Sequence, residues 1–274
     1  MAFHDLDRPP LDQQALRRSL RAGEPGSWWR TADVVAATAS TNADLGERAR
    51  AGAKEAAVLV AEHQTAGRGR MGRGWEAPPS SALTLSVLVR PDVVAARWPW
   101  LPLLAGAAVA EAVSRTTGLD AGLKWPNDVV VDDRKLAGVL LERVDTPGGP
   151  AAVIGVGLNV SLRRDELPVP TATSLVLETG EPVDRQPLLL SVLRTLSSLY
   201  RAWAAEEGDP SGLHPAYVRR CTTIGRQVRV DLPDGSTVRG TAESVDSSGR
   251  LVVASAGGRQ ILGAGDVVHV RPVV

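Results

Sequence analysis

Between residues 61 and 75 the chain reads AEHQTAGRGRMGRGW, and from Gly67 to Gly74 every position is glycine or arginine except Met71. Arginine presents a planar fork of N–H donors suited to carboxylate and phosphate. Glycine reaches backbone conformations closed to other residues and lets the main chain approach a ligand. Gly67, Arg68, Gly69, Arg70 and Arg73 therefore read as an anion-binding lid. Ordering such a loop costs roughly 1–2 kcal/mol per residue, and each charged hydrogen bond returns roughly 1.5–3 kcal/mol. The lid is expected to stay mobile until anionic ligands arrive, then to close over them and exclude water. Residue types alone leave a second reading open, a flexible exposed loop with or without RNA attached. No GK[ST] follows, so this is not a Walker loop. Pro78-Pro79 stands where a helix would have to begin, so it is not a dinucleotide fingerprint either.

Lysine is the second signal. Of 31 basic residues only Lys54, Lys124 and Lys135 are lysine. Arginine is the default cation here, so a position that keeps a compact ammonium is informative. Lys124 lies in GLKWPNDV with Asn127 and Asp128 close behind, and Lys135 opens KLAG, which ends at Gly138. Ser40, Thr41 and Asn42 read as a helix N-cap that also clusters small polar side chains. In IGVGLNV, Gly155 and Gly157 interrupt a strand before Asn159; each reads as a bulge or as a close approach to a ligand. Trp75 is either a core aromatic or a platform for a base. Histidines at 4, 63, 214 and 269 are scattered and Cys221 is alone. No metal-ligand spacing and no serine or cysteine triad signature appears.

The elements that must carry these residues follow from periodicity and breakers. Helices are expected over 11–21, from the STN cap to Gly52, over 98–117 with Gly118 just past the end, over about 185–206, and in a short stretch ending near Cys221. Strands are expected at 33–38, 56–63, 82–90 and 151–160. Between them LKWPNDVVVDDRKLAGVLLERV reads as strand, break at Pro126 and a hairpin turning at Asp132-Asp133. PTATSL reads as loop. Beyond Thr222 short strands alternate with turn signals about every ten residues, which predicts a small all-β barrel. The domains are placed at 1–221 and 222–274. The fold class is α+β, a mixed and mostly antiparallel sheet flanked by helices, followed by the small barrel.

Bulk composition is that of a globular chain: 274 residues, 43% hydrophobic, 23% charged and no net charge. A general nucleic-acid or membrane binder usually shows a basic excess, and this balance argues against both. One cysteine rules out an internal disulfide and fits a reducing compartment. The N-terminus lacks a signal pattern, and the apolar run Leu101–Ala110 is too short to span a bilayer.

Taken together and in order, STNADL, AEHQTAGRGRMGRGW, GLKWPNDV, RKLAGVLLE and IGVGLNV resemble the signature blocks of biotin protein ligases over roughly residues 32–175, and GRLVV and GDVVHV resemble that family's small SH3-like C-terminal domain. The resemblance is closest to short members without an N-terminal winged helix, so no DNA binding and no repressor role are expected. It implies an enzyme that joins biotin to ATP with Mg²⁺ to form biotinyl-5′-AMP, then acylates one lysine of the biotin carboxyl carrier domain of an acyl-CoA carboxylase. A cytoplasmic monomer or weak homodimer is expected, with no membrane partner. The resemblance implies that Lys124 and Arg70 are catalytic cations. Biotin contacts are implied for Ser40, Thr41, Asn42, Gln64, Gly67, Arg68, Gly69, Arg70, Lys124, Gly138, Gly155 and Gly157. ATP and adenylate contacts are implied for Arg68, Arg70, Arg73, Trp75, Lys124, Asn127, Lys135 and Asn159, with no metal ligated directly by protein. Asn127 and Asp128 would orient Lys124 or Mg²⁺ through water. Met71 departs from the arginine often found there in repressor-type members, which implies faster loss of the adenylate. The rival of the same fold is a lipoate or octanoate ligase or transferase. Its pocket would have to hold a long acyl chain, and the polar STN segment and the arginine lid favour biotin.

Overall fold

The computed structural model describes residues 8–20 and 28–270. The helix expected over 11–21 is α1 (Gln13–Ser19); Arg21 and His4 lie outside the described residues. A seven-stranded sheet runs in the order β1 (Thr31–Val35), β2 (Ala57–Ala61), β5 (Ala82–Val89), β9 (Gly149–Asn159), β8 (Arg134–Thr146), β7 (Asp128–Val131) and β6 (Gly122–Lys124), and a five-stranded sheet in the order β13 (Gly258–Leu262), β12 (Leu251–Ser255), β11 (Thr237–Val245), β10 (Gln227–Asp231) and β14 (Asp266–His269). In the large sheet β1 (Thr31–Val35) and β2 (Ala57–Ala61) are parallel, and every other pairing is antiparallel. The class is the mixed, mainly antiparallel α+β arrangement expected.

Strand alternation sorts the large sheet into two faces. On β5 (Ala82–Val89), Leu83, Leu85 and Val87 join the main core, together with α3 (Trp100–Thr117) and α5 (Arg185–Ala205). Leu88 of the opposite face packs with Leu45 and Ala49 of α2 (Thr41–Arg50) and with Val153 of β9 (Gly149–Asn159). The α2 face loses its large side chains toward one end. There Thr84 and Ser86 pair with Gly157 and Gly155 of β9, which pair in turn with Gly138 and Leu140 of β8 (Arg134–Thr146). Thr84, Gly157 and Gly138, in register on three neighbouring strands, with Ser86 and Gly155 beside them, leave a hollow beside the start of α2.

The breakers act where they were expected. Ser40 caps α2 by accepting the Ala43 N–H, and Gly52 just beyond the helix has φ 95°. Gly118 closes α3 at φ 75°. The β6–β7 connection, from Gly122–Lys124 to Asp128–Val131, carries Pro126, and the β7–β8 hairpin turns on Asp132 and Asp133 at φ 47° and 63°. Two expectations need adjusting. The strand expected at 33–38 is β1 at Thr31–Val35, with Thr38 bridging to Gln64 instead. Part of the PTATSL loop enters a one-turn helix, α4 (Leu175–Thr179).

The C-terminal sheet comprises β10 (Gln227–Asp231), β11 (Thr237–Val245), β12 (Leu251–Ser255), β13 (Gly258–Leu262) and β14 (Asp266–His269), all antiparallel. It packs onto the strand that carries Lys124. The Thr222 N–H donates to Leu123 O at 2.8 Å, the Trp125 N–H to Thr223 Oγ1 at 3.1 Å, and Trp125 Nε1–H to Gly249 O at 2.9 Å. Trp125 is 1% exposed, so the residue next to Lys124 is fixed by the second sheet.

Candidate functional site

The hollow on the α2 face opens into a cleft of about 550 Å³. Its walls are the start of α2, the glycine row of β8 and β9, the lid, the β6–β7 turn and the first residues of β14. Every site residue expected from the sequence lines it except Gly67. Gly67 sits in a short hairpin, β3 (Gly67–Arg68) against β4 (Gly74–Trp75), where a Cβ would overlap the Trp75 carbonyl. The hairpin by itself therefore requires a glycine at position 67.

At the α2 end the polar side chains form one hydrogen-bonded group. The Gln64 Oε1 accepts the Thr41 N–H at 2.8 Å and the Thr41 hydroxyl at 3.0 Å. Ser86 Oγ donates to Asn42 Oδ1 at 2.6 Å and lies 2.7 Å from Thr41 Oγ1. Asn42 Nδ2 donates to Glu142 Oε2 at 2.7 Å. Ser40, Thr41 and Asn42 are all buried, so the group is a preorganised polar wall. Gly155 serves it directly, since a Cβ there would overlap the Asn42 amide.

At the lid end each arginine has a protein acceptor on a different element. Arg68 approaches Glu142 on β8 at 3.4 Å, Arg70 donates to Asn127 Oδ1 at 3.0 Å, and Arg73 grips Asp266 of β14 through two bonds at 2.8 and 3.1 Å. The lid is therefore not held by ligand anions alone, as its composition suggested: three acceptors spread over the fold already hold it as a hairpin. Its tip turns through Met71 at φ 55° and Gly72 at φ 72°. Asn127 also donates to Val139 O at 2.9 Å. It was expected to orient Lys124 or Mg²⁺ through water; its direct partners are Arg70 and Val139.

Trp75 packs against the glycine row, where a Cβ on Gly157 would overlap its indole. Gly157 thus makes room first for Trp75, where direct contact with a ligand ring had been expected. Lys135 stands 6.0 Å from the Trp75 ring centre and pairs with Asp128 at 2.7 Å, so the direct partner of Asp128 is Lys135. Asn159 donates to Thr173 O at 2.8 Å, leaving its own carbonyl oxygen for another partner.

The charges of the cleft are not all neutralised. Among the described residues Lys124 and Arg70 form no ion pair, whereas Arg68, Arg73 and Lys135 each do. Burial works against the charge of Arg70 and pulls its pKa below the ordinary value; Asp128 and Asp266 oppose that shift. His269, on β14, feels Lys124: burial first, then the lysine and Arg226, lower the imidazole pKa. Two under-neutralised cations in a concave, partly dry site can attract and hold anions.

Ser86, Glu142 and Asp266 are the residues that sequence reading missed. Ser86 had a signal, since Thr84 and Ser86 put hydroxyls on one face of the otherwise apolar ALTLSVLV. Glu142 and Asp266 had none, because their partners are far away in the chain. Among the described residues there is no group of three or more His, Cys, Asp or Glu that could hold a metal, and no helix long and apolar enough to cross a membrane.

Residues 34–159 match the biotin/lipoate A/B protein ligase family, and residues 223–270 match the biotin protein ligase C terminal domain. The chain is 46% identical to the biotin–[acetyl-CoA-carboxylase] ligase of Mycobacterium tuberculosis over 99% of this chain and 100% of the relative. It is 34% identical to the ligase of the same name from Paracoccus denitrificans, over 85% of this chain and 98% of the relative. A solved structure of biotin protein ligase from Aquifex aeolicus in complex with biotin and ATP superposes with a TM-score of 0.75 at 26% identity, over 89% of this chain and 100% of that one.

Proposed function

The chain belongs to the biotin protein ligases, and from that premise we propose how its cleft joins biotin to ATP and passes the biotinyl group to the lysine of a carboxyl carrier domain. The first step brings two anions together. A biotin carboxylate oxygen attacks the α-phosphorus of ATP, a new O–P bond forms and pyrophosphate leaves with the electrons of the broken bond. Like unit charges at about 4 Å repel by ~4 kcal/mol at an effective dielectric of about 20. The observation that carries the reading is the pair of cations without carboxylate partners, Lys124 and Arg70, in the same cleft as a preformed polar wall. Lys124, a compact ammonium, suits the space between carboxylate and α-phosphate. Arg70 supplies a fork from the lid and contacts both. Arg68 flanks it, and Arg73 anchors the lid through Asp266.

The wall of Ser40, Thr41, Asn42 and Gln64 suits the ureido group of biotin, with its two N–H donors and one carbonyl. Trp75 offers a face to adenine, Lys135 lies on the phosphate side, and the free carbonyl of Asn159 suits the nucleotide. Magnesium arrives on the triphosphate, where it would neutralise phosphate charge. The donor set fits that role: Asp128 gives one carboxylate at the cleft, and the described residues build no cage of their own. In the second step the carrier's ε-amine attacks the acyl carbonyl, an amide forms and AMP leaves, so the protein needs no nucleophile. We place the reaction in the cytoplasm, where the buried, unpaired Cys221 stays reduced.

The test is mass-spectrometric detection of biotinyl-5′-AMP after mixing protein, biotin, ATP and magnesium. The adenylate is expected with biotin and not with lipoate, and Lys124→Arg should lower its yield by about a hundredfold or more in a protein of unchanged melting temperature. Adenylate from lipoate alone overturns the substrate, and a fully active Lys124→Arg overturns the lysine's role.

A further inference from the structure

Glu142 is a charged group behind the cleft wall, bonded to the lining residue Asn42, to which neither chemical step gives a task. It lies on β8 opposite Val153 of β9, and its Oε2 accepts Asn42 Nδ2–H at 2.7 Å. At the other end of the same amide, Asn42 Oδ1 accepts the Ser86 hydroxyl at 2.6 Å. That oxygen lies against the bare backbone of Gly155, where a Cβ would overlap it, and both Asn42 and Gly155 line the cleft. Arg68 reaches each oxygen of Glu142 at 3.4 Å, so the carboxylate is held from the lid side as well.

The two ends of an amide side chain are nearly equal in size, and only its partners decide which end points where. Ser86 does not decide, because a hydroxyl both donates and accepts. A carboxylate only accepts, so the amide nitrogen of Asn42 has to face Glu142 and the carbonyl oxygen has to face Ser86 and Gly155. We propose that Glu142 is a positioning residue that fixes the Asn42 amide with its oxygen toward the cleft, and so sets the polar wall to accept an N–H of the ligand's ring. This rests on the biotin reading, in which the ring brings two N–H donors to that wall. Asn42 Nδ2 also donates to Leu140 O, at the longer distance of 3.4 Å, so without Glu142 only that weaker, uncharged contact opposes the amide's turning over to present a donor to a donor.

A polarity swap tests this by titration calorimetry with biotin. Asn42→Asp removes the donor and sets two carboxylates against each other, and should weaken biotin binding about tenfold or more. Adding Glu142→Gln restores a donor opposite the acid, keeps an acceptor toward the cleft and leaves the total charge as in the parent. The double variant should return to within about threefold of wild type. A double variant no better than Asn42→Asp overturns the proposal, since a merely structural role for Glu142 gives no reason for one lesion to repair another. Should Asn42→Asp fail to fold, Glu142→Ala gives the second reading. It should raise the biotin dissociation constant about tenfold and leave the KM for ATP, at saturating biotin, within about twofold. Equal loss for both substrates overturns the proposal. Wild-type protein that binds no biotin is a separate outcome, which removes the ligase reading and this inference with it.

Discussion

The absence of a single methyl group decides whether Trp75 can lie where it does. A Cβ at position 157 would overlap three atoms of the indole, whereas one at Gly148 meets nothing within 4 Å. Gly157→Ala should therefore push the indole off the glycine row, at a stability cost of about 1–3 kcal/mol for overpacking. A base stack on an aromatic is worth roughly 1–3 kcal/mol, so nucleotide affinity should fall about tenfold, read by calorimetry with ATP. Gly148→Ala is the control, expected to change neither the melting temperature nor the affinity. Loss of affinity in both, or in neither, would sink the platform role of Trp75. Residue identity was legible in sequence at this scale and residue purpose was not. Glycines at 155 and 157 signalled close approach, but only the fold shows that the approaching groups are Asn42 and Trp75.

At the scale of elements the lid is held by contacts that are individually weak. Arg73 and Asp266 are both about half exposed, and an exposed ion pair contributes about 0–1 kcal/mol. The Arg68 contact to Glu142 is longer still. The hairpin should therefore open readily and be cut by trypsin after its arginines. Biotin with ATP should suppress that cutting, and Asp266→Asn should speed it in the ligand-free protein. Gel densitometry over time measures both, and equal rates with and without ligands would contradict closure over substrates. Helices and strands were legible because caps, breakers and periodicity are local. The acceptors of the lid were not: Glu142, Asn127 and Asp266 stand 74, 57 and 193 residues from their arginines, and no local pattern reports pairing across such distances. The helix α4, of only five residues, is too short for periodicity to reveal.

Across the whole molecule the two sheets share one apolar core, in which Leu123 and Trp125 are continuous with Val253 and Val267. Besides the Trp125 contacts, Trp100 Nε1–H donates to Ser247 O at 2.9 Å, and Arg226 pairs with Asp133 at 2.6 Å. Heat should therefore unfold both sheets in one calorimetric transition, although the chain reads as two domains. The acid limb of that stability has two parts. For Asp33, Asp133, Glu166 and Asp246 burial pushes the pKa up, but hydrogen bonds and ion pairs with neighbouring arginines and backbone N–H groups outweigh it and hold each below its ordinary value. A carboxylate with a depressed folded pKa adds stability that is complete above its unfolded value and lost as pH falls through the folded one. These groups should therefore act only below about pH 4, the ordinary carboxylate range. His269 has the same sign and an earlier window. Burial, Lys124 and Arg226 depress it from 6.5, so the folded state binds fewer protons than the unfolded chain below that pH and stability declines. His269→Gln, which cannot take up a proton, should flatten the decline of the melting temperature that sets in as pH falls below about 6.5 and leave in place the steeper acid loss from Asp33, Glu166 and Asp246. If the decline persists unchanged in that variant, the imidazole at the junction of Lys124 and the C-terminal sheet is not its source.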